Sequence, residues 1–101
     1  MSATINGTTL KGEIALVTGA SRGIGAAIAD TLAAQGAIVI GTATTQNGAD
    51  AISARLAAHG GAGRVLDVAD AASVEALVEA ASAEFGAISI LVNNAGITRD
   101  N

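Results

Sequence analysis

Short apolar stretches recur along the chain and are separated by longer segments of helical character. The first stretch, residues 14–18, is apolar at consecutive positions up to its final Thr and is followed at once by glycine. Continuous rather than alternating apolarity is typical of a strand that is buried on both faces, as in a parallel sheet. A second buried stretch follows at residues 37–41. Residues 64–67, which begin with Arg and end with Asp, and residues 88–92, which are apolar apart from Ser89, are predicted to be the third and fourth strands.

The segments between these strands predict helices. Residues 26–35 are rich in helix formers, and Gly36 is placed to end that helix. Residues 48–58 carry Ile52 and Leu56 four positions apart, which is the spacing of one helix face. The polar residues between the second strand and this helix, and the glycine-rich segment after it, are predicted to be connections.

A third helix is predicted to begin after Asp70, which is a suitable N-cap, and to end at Gly86. Its apolar stripe consists of Val74, Leu77, Val78 and Ala81. The resulting order βαβαβαβ, with right-handed crossovers, predicts an α/β fold: a Rossmann-type doubly wound parallel sheet that is truncated after the fourth strand. The expected strand order 3-2-1-4-5 places the first two helices on one face and the third on the other.

Composition excludes several kinds of site and partner. The chain of 101 residues has no Cys, no Tyr and one His (His59), so thiolate zinc sites, multi-histidine metal sites and a phenol proton donor are excluded. Five Lys and Arg against nine Asp and Glu, with 1% aromatic residues, argue against nucleic acid as a partner. Residues 1–10 lack the features of a secretory signal, and no apolar run approaches the ~20 residues that span a bilayer. We therefore expect a cytoplasmic protein with no membrane partner.

The segment between the first strand and the first helix carries the strongest signal for a ligand. Glycines at this place let the backbone turn tightly and let a pyrophosphate approach main-chain N–H groups, and the positive end of the helix dipole favours the anion. The alternative is a tight turn that binds nothing. The candidate cofactor-binding residues of this turn are Gly19, Ala20, Ser21, Arg22, Gly23, Ile24 and Gly25.

The spacing of these glycines resembles that of the short-chain dehydrogenase/reductase family, whose signature is Thr-Gly-x-x-x-Gly-x-Gly; it stands here at residues 18–25. A second signature of the family, Asn-Asn-Ala-Gly, stands at residues 93–96, after the fourth strand. The resemblance implies a nicotinamide cofactor. It also implies that Asp67 and Val68 contact the adenine and that Asn93 holds backbone groups between strands. It further implies that Asn94, Ala95 and Gly96 lie against the cofactor. For Asp67, capping of the next turn is the alternative.

The end of the second strand indicates which nicotinamide cofactor is bound. NAD sites commonly place an acidic residue there, which would repel a 2′-phosphate. No acidic residue lies between Val39 and Ala49, whereas Thr44 and the turn residue Arg22 offer a hydroxyl and a guanidinium. These residues predict NADP(H). The alternatives are a solvated loop cation for Arg22 and an ordinary loop residue for Thr44.

The stretches 39–44, 47–49 and 93–101 further resemble the bacterial 3-oxoacyl-[acyl-carrier-protein] reductases of fatty acid biosynthesis. The resemblance implies reduction of a β-ketoacyl thioester, carried by acyl carrier protein, in a homotetramer. Acetoacetyl-CoA reductases share much of this sequence, so they remain an alternative, as does a remnant that only binds nucleotide.

The catalytic Ser, Tyr and Lys of these reductases lie downstream of Asn-Asn-Ala-Gly, and the only Lys here is Lys11. We therefore predict no catalytic residue in this chain and no activity of the chain alone. Residues 1–101 are expected to be the N-terminal NADP-binding half of one Rossmann-fold reductase domain, with residues 1–11 as a loose lead-in. Strand four is expected to be an open edge beside exposed apolar surface, which favours marginal folding and self-association.

Overall fold

A computed structural model of the chain describes residues 9–94. Four strands alternate with three helices, and a short 3-10 turn at Ala57–His59 follows the second helix. The strands are β1 (Ile14–Val17), β2 (Ile38–Ala43), β3 (Ala62–Val65) and β4 (Ile90–Val92). The helices are α1 (Gly23–Ala34), α2 (Gln46–Leu56) and α3 (Ala71–Phe85).

The strands form one sheet in the order β3-β2-β1-β4, and every pair is parallel. In the register of this sheet, Val17 lies opposite both Gly41 and Val92, so β1 and β4 end at the same level and β2 extends two residues further, to Ala43. The predicted α/β doubly wound architecture and its strand order are confirmed for the part of the chain that the structure describes.

Alternate side chains of β1 pack into two separate cores, one on each face of the sheet. On one face, Ala15 and Val17 pack in a cluster that includes Ala29 of α1 and Ile52 of α2. On the other face, Leu16 packs with residues that include Ala81 of α3. All of β1 is buried, as its continuous apolarity predicts. The expected distribution of helices, with α1 and α2 on one face and α3 on the other, is confirmed.

Two predicted helix termini, the beginning of α3 and the end of α1, agree with the structure. The Asp70 carboxylate accepts hydrogen bonds from the N–H groups of Ala72 and Ser73, at 3.1 and 3.3 Å, so it caps α3. Gly36, just beyond α1, has a φ of +103°, a left-handed value that favours glycine. The predicted stripe of α3 is wrong at one position, because Val78 is exposed while Ala81 is buried.

Several element boundaries differ from those predicted: α2 spans Gln46–Leu56 rather than residues 48–58, and β4 begins at Ile90 rather than at residue 88. Three further differences concern β3, α1 and β2, and close packing explains the first. Strand β3 begins at Ala62 rather than at residue 64, so the glycine-rich segment is partly strand. Gly63 fits a strand there because a Cβ at this position would meet the Ala49 carbonyl of α2. Helix α1 begins at Gly23 rather than at residue 26, since its glycines form a helical turn although their propensity is low.

The third difference lies in β2, which continues through Thr42 and Ala43, residues that were predicted to be a connection. They pair with Arg64 and Val65 of β3, so the neighbouring strand determines where β2 ends.

Part of the predicted lead-in is described. The N–H of Leu10 donates to the Gln35 carbonyl at 2.8 Å, and the Leu10 side chain packs against the core beneath α1. Within residues 9–94, none of the helices combines the length and apolarity required to cross a bilayer.

Candidate functional site

The predicted site residues come together at the carboxyl edge of the sheet. The chain leaves β1 toward α1, on one face, and it reaches β4 from α3, on the other face. β1 and β4 are hydrogen-bonded neighbours, and the strand order reverses at β1, since β2 and β3 lie on one side of it and β4 lies on the other. In open α/β sheets, ligands bind at such a point of reversal.

The turn after β1 depends on glycine at particular positions. Gly19 and Gly23 have φ values of +65° and +64°, which lie in the left-handed region that other residues rarely adopt. At Gly25, a Cβ would clash with the Gly19 carbonyl and would lie 2.7 Å from the Asn94 side-chain nitrogen. The three glycines of the signature are therefore needed by the backbone itself, with or without a ligand.

The end of β2 supports the first half of this turn. The Gly19 N–H donates to the Thr42 hydroxyl at 3.3 Å, and the Ala20 N–H donates to the Thr42 carbonyl at 2.8 Å. Among residues 9–94, no group accepts a hydrogen bond from the N–H of Ser21. The next amides belong to the first turn of α1, where an isolated helix has no intrahelical acceptors.

The beginning of α1 suits an anion. Arg22 occupies the N-cap position, but its side chain makes no capping hydrogen bond, and the first turn carries no acidic residue. Uncapped amides and the positive end of the helix dipole attract negative charge. Ile24 is 72% exposed next to these amides, so an apolar surface adjoins the anion site. The residues present thus fit a phosphate-bearing cofactor.

Two of the predicted residues are exposed at the ends of neighbouring strands. Arg22 follows β1, and Thr44 comes directly after the last residue of β2. Neither side chain is held by a hydrogen bond or ion pair among the described residues. Both side chains are therefore available to a ligand that lies across the ends of β1 and β2.

Asp67 and Val68 are exposed in the segment after β3. The Asp67 carboxylate accepts a hydrogen bond from the Ala69 N–H at 3.0 Å, and the Asp67 carbonyl accepts one from the Asp70 N–H at the same distance. This carboxylate therefore does cap the turn that precedes α3, which was the alternative interpretation. Its contact with adenine stays a prediction.

The two asparagines after β4 make hydrogen bonds to Thr18 and to the glycine turn. Asn93 was predicted to hold backbone groups, but its side-chain oxygen accepts from the Thr18 hydroxyl at 3.2 Å. The Asn94 side chain holds the backbone instead, because its Nδ2 donates to the Gly19 carbonyl at 3.1 Å. The Asn94 N–H also donates to the Thr18 hydroxyl at 2.9 Å. Ala95 and Gly96 lie outside the described residues.

Two contributors to the site carry no motif that would have predicted them. Thr42 supports the turn from β2, 23 positions away from Gly19. Arg55 reaches the turn from the last turn of α2, where its Nη2 donates to the Ala20 carbonyl at 3.3 Å. Sequence offered only weak signals for them: a Thr directly after the predicted second strand and a basic residue near a predicted helix end.

The glycine turn after β1 and the two sequence signatures point to one family. The sequence matches the short chain dehydrogenase family over residues 13–101. The chain belongs to the short chain dehydrogenase family.

Three curated relatives of this short chain dehydrogenase carry the name 3-oxoacyl-[acyl-carrier-protein] reductase FabG. The relative from Escherichia coli (strain K12) is 67% identical over 91 residues, which are 90% of this chain and 37% of the relative. The relative from Salmonella typhimurium is 63% identical over 93 residues, with 92% and 38% covered. The relative from Pseudomonas aeruginosa is 57% identical over 95 residues, again with 92% and 38% covered. This short chain dehydrogenase sequence thus spans less than two fifths of the length of these relatives.

Proposed function

We propose that this chain is the cofactor-binding part of an NADPH-dependent 3-oxoacyl-[acyl-carrier-protein] reductase. The proposal rests on the beginning of α1, which lies at the point of reversal between β1 and β4. The backbone N–H groups of its first turn have no side-chain cap, and the turn carries no acidic residue. A dinucleotide pyrophosphate supplies the anion that such a helix end favours. When bound, the reduced nicotinamide supplies the hydride for carbonyl reduction.

The choice of NADP(H) over NAD(H) rests on Arg22 and Thr44. Both side chains are exposed at adjoining strand ends, and no acidic residue follows β2 before Asp50. A guanidinium forms charge-assisted hydrogen bonds with phosphate, and a hydroxyl adds a further donor. We therefore assign the 2′-phosphate to Arg22 and Thr44.

The remaining predicted residues are assigned to the rest of the cofactor. Asp67 and Val68 would meet the adenine at the end of β3, where Val68 offers an exposed apolar surface. Asn94 lies beside the glycine turn, to which its side chain is already bonded, so its backbone and the residues after it would adjoin the cofactor.

The proposed substrate is a β-ketoacyl thioester on acyl carrier protein, which is reduced to the 3-hydroxyacyl form. The names of the three relatives support this choice of substrate. We assign proton transfer to none of the 101 residues, since they contain no Tyr and one Lys, Lys11, before β1. A hydride donor without a positioned acid is a poor catalyst, so the chain alone should be inactive. The complete protein is proposed to be a homotetramer.

A titration tests the cofactor. Because the chain has no Trp or Tyr, nicotinamide fluorescence can be followed without protein background. We expect tighter binding of NADPH than of NADH, and Arg22→Ala should weaken NADPH binding by about 1–3 kcal/mol while leaving NADH unchanged. Arg64→Ala, which replaces a partly exposed arginine of β3, is the control and should change neither affinity. Equal losses for both nucleotides on Arg22→Ala would contradict the assignment.

A chimera tests the substrate. Residues 1–101 are joined to the remaining residues of the Escherichia coli relative, and NADPH oxidation is followed with acetoacetyl thioesters of acyl carrier protein and of coenzyme A. We expect oxidation that depends on the acyl-carrier-protein substrate in the chimera and none in the 101-residue chain. A preference for the coenzyme A thioester would favour an acetoacetyl-CoA reductase instead. Substrate-dependent oxidation by the chain alone would overturn the claim that it holds no catalytic residue.

A further inference from the structure

Arg55 joins three elements that meet behind the glycine turn. It lies in the last turn of α2, and its Nε and Nη2 each lie 3.2 Å from the same carboxylate oxygen of Asp30, on α1. The same Nη2 donates to the Ala20 carbonyl at 3.3 Å. One guanidinium thus contacts α1 and the turn at once while its own backbone belongs to α2.

From these contacts we propose that Arg55 is a positioning residue for the cofactor's phosphates, which it does not touch. The inference rests on the proposed function of the turn. The peptide group between Ala20 and Ser21 is planar and trans, because the described chain has no cis peptide bond. Its carbonyl and its N–H therefore point in opposite directions. When Arg55 holds the Ala20 carbonyl toward α2, the Ser21 N–H is directed away from α2.

The Ser21 N–H is the amide whose direction matters. Within residues 9–94 it makes no hydrogen bond, whereas the preceding N–H of Ala20 is occupied by the Thr42 carbonyl. With Ala20 held on one side by β2 and on the other by Arg55, this peptide is fixed before any ligand arrives. A donor that is already oriented loses less conformational freedom when it meets an anion.

The charge balance of the Arg55 contact separates its effect from that of Arg22. Arg55 is paired with Asp30, so the pair brings no net charge to the site. Loss of its contact with the Ala20 carbonyl should therefore weaken binding of the phosphates that NADH and NADPH share. Arg55→Gln combined with Asp30→Asn keeps the net charge of the site unchanged and should weaken both nucleotides by the same factor. Arg22 has no such partner among the described residues and is assigned to the phosphate that only NADPH carries.

The chain contains a matched control for Arg55. Arg64 forms an ion pair of the same kind with Glu84, at 2.8 Å, and the two pairs are exposed to a similar degree: 32% and 57% for Arg55 and Asp30, 37% and 54% for Arg64 and Glu84. Arg64 has no contact with the glycine turn; its other hydrogen bond goes to the carbonyl of its own neighbour, Gly63. Replacing either arginine with Gln removes one exposed ion pair, but only one replacement affects the turn.

The experiment measures the dissociation constants of NADPH and NADH for the 101-residue chain and for Arg55→Gln, Arg55→Lys and Arg64→Gln, with denaturant midpoints as the measure of folding. We expect Arg55→Gln to raise both dissociation constants about fivefold to tenfold. Arg55→Lys should recover part of this loss, because an ammonium still donates but lacks the planar fork. Arg64→Gln should leave both constants unchanged, with a midpoint similar to that of Arg55→Gln.

Amide hydrogen exchange without nucleotide supplies the second readout. The Ala20 amide, which is hydrogen-bonded to the Thr42 carbonyl, should exchange faster in Arg55→Gln than in the parent chain and at the parent rate in Arg64→Gln. Unchanged dissociation constants together with unchanged exchange at Ala20 would overturn the proposal, and so would a loss confined to NADPH, which would make Arg55 a phosphate-binding cation. Should the parent chain bind neither nucleotide, the proposed function fails, and the exchange of Ala20 alone then decides whether Arg55 holds this turn.

Discussion

The two ends of the sheet are attached to its centre by different interactions. At the β3 end, α2 covers β2 and β3, and Ile52 and Leu56 are completely or almost completely buried. At the β4 end, Leu91 is 64% exposed, and the strand is joined to β1 by side-chain hydrogen bonds as well as by the backbone ladder. The Ser89 hydroxyl accepts from the Ile14 N–H at 3.1 Å at the beginning of β4, and Thr18 bonds to Asn94 at its end.

The two ends of the sheet therefore differ in the kind of interaction that holds them: apolar burial at the β3 end and directional hydrogen bonds at the β4 end. Burial of apolar side chains stabilises a fold in proportion to area but has no preferred direction. Hydrogen bonds add less net free energy each, but they require particular distances and angles. The polar contacts lie where the end of β4 meets the glycine turn, so the candidate site is placed by directional bonds rather than by a deep core. Four predictions test this comparison.

The largest effect is expected at the apolar end. Ile52→Ala should lower the free energy of unfolding by about 2–5 kcal/mol, because it leaves a cavity beneath α2, at a side chain with no exposed surface. Denaturant unfolding measures the loss, and a chain of this size with little stability to spare would lose its cooperative transition altogether. A loss below that of an exposed replacement such as Ala51→Gly would contradict the comparison.

The next effect is expected at the polar end. Thr18→Val removes the hydroxyl that accepts from the Asn94 N–H and should destabilise the junction of β1 and β4 by about 1–3 kcal/mol. Thr31→Val is the control, because the Thr31 hydroxyl bonds only to the Ala27 carbonyl on the exposed side of α1. Hydrogen exchange should quicken in β4 and in the glycine turn for Thr18→Val alone. Unchanged protection there would mean that apolar contacts, and not these bonds, hold β4.

The helix caps give a smaller and more local comparison. Thr45 caps α2 by accepting from the Gly48 N–H at 3.0 Å, and Asp70 caps α3. Either change to Ala should cost about 0.5–2 kcal/mol. Because α2 covers two strands and α3 buries only Ala81, Thr45→Ala should speed exchange in β2 and β3, whereas Asp70→Ala should speed it within α3 alone. Loss of protection in β2 on Asp70→Ala would show that both helices are equally integrated.

The smallest effect on stability is expected at Leu91. Leu91→Lys should change the free energy of unfolding by less than about 0.5 kcal/mol, because the side chain is already exposed. It should nevertheless reduce self-association and hydrophobic dye binding, since a charge on an edge strand discourages pairing. Val65→Lys is the control on the opposite edge, where Arg64 already supplies a charge; it should alter sedimentation little. A parent chain that sediments as a monomer and binds no dye would contradict this prediction.

Much of the fold was predictable because it depends on local patterns. Apolar stretches indicated the four strands of a parallel sheet. β1 is buried at every position, whereas the edge strands β3 and β4 are only partly buried. Asp70 was recognisable as a cap because its side chain bonds to amides two and three residues away. The glycine turn was recognisable because the spacing of its glycines, and their place after a strand, follow from the backbone shape that the turn requires.

The amino-acid sequence by itself determined the order of the elements, the two faces of the sheet, the glycine turn and the family. Only the tertiary structure decided where β3 begins, since Gly63 belongs to a strand because the Ala49 carbonyl of α2 lies against it. It also decided that Asn94 rather than Asn93 holds the turn, and that Arg55 reaches Ala20 from 35 positions away. The physical reason is the range of each interaction. Periodicity and capping act within a few residues and can be read along the chain, whereas a hydrogen bond between distant segments depends on how the helices pack against the sheet.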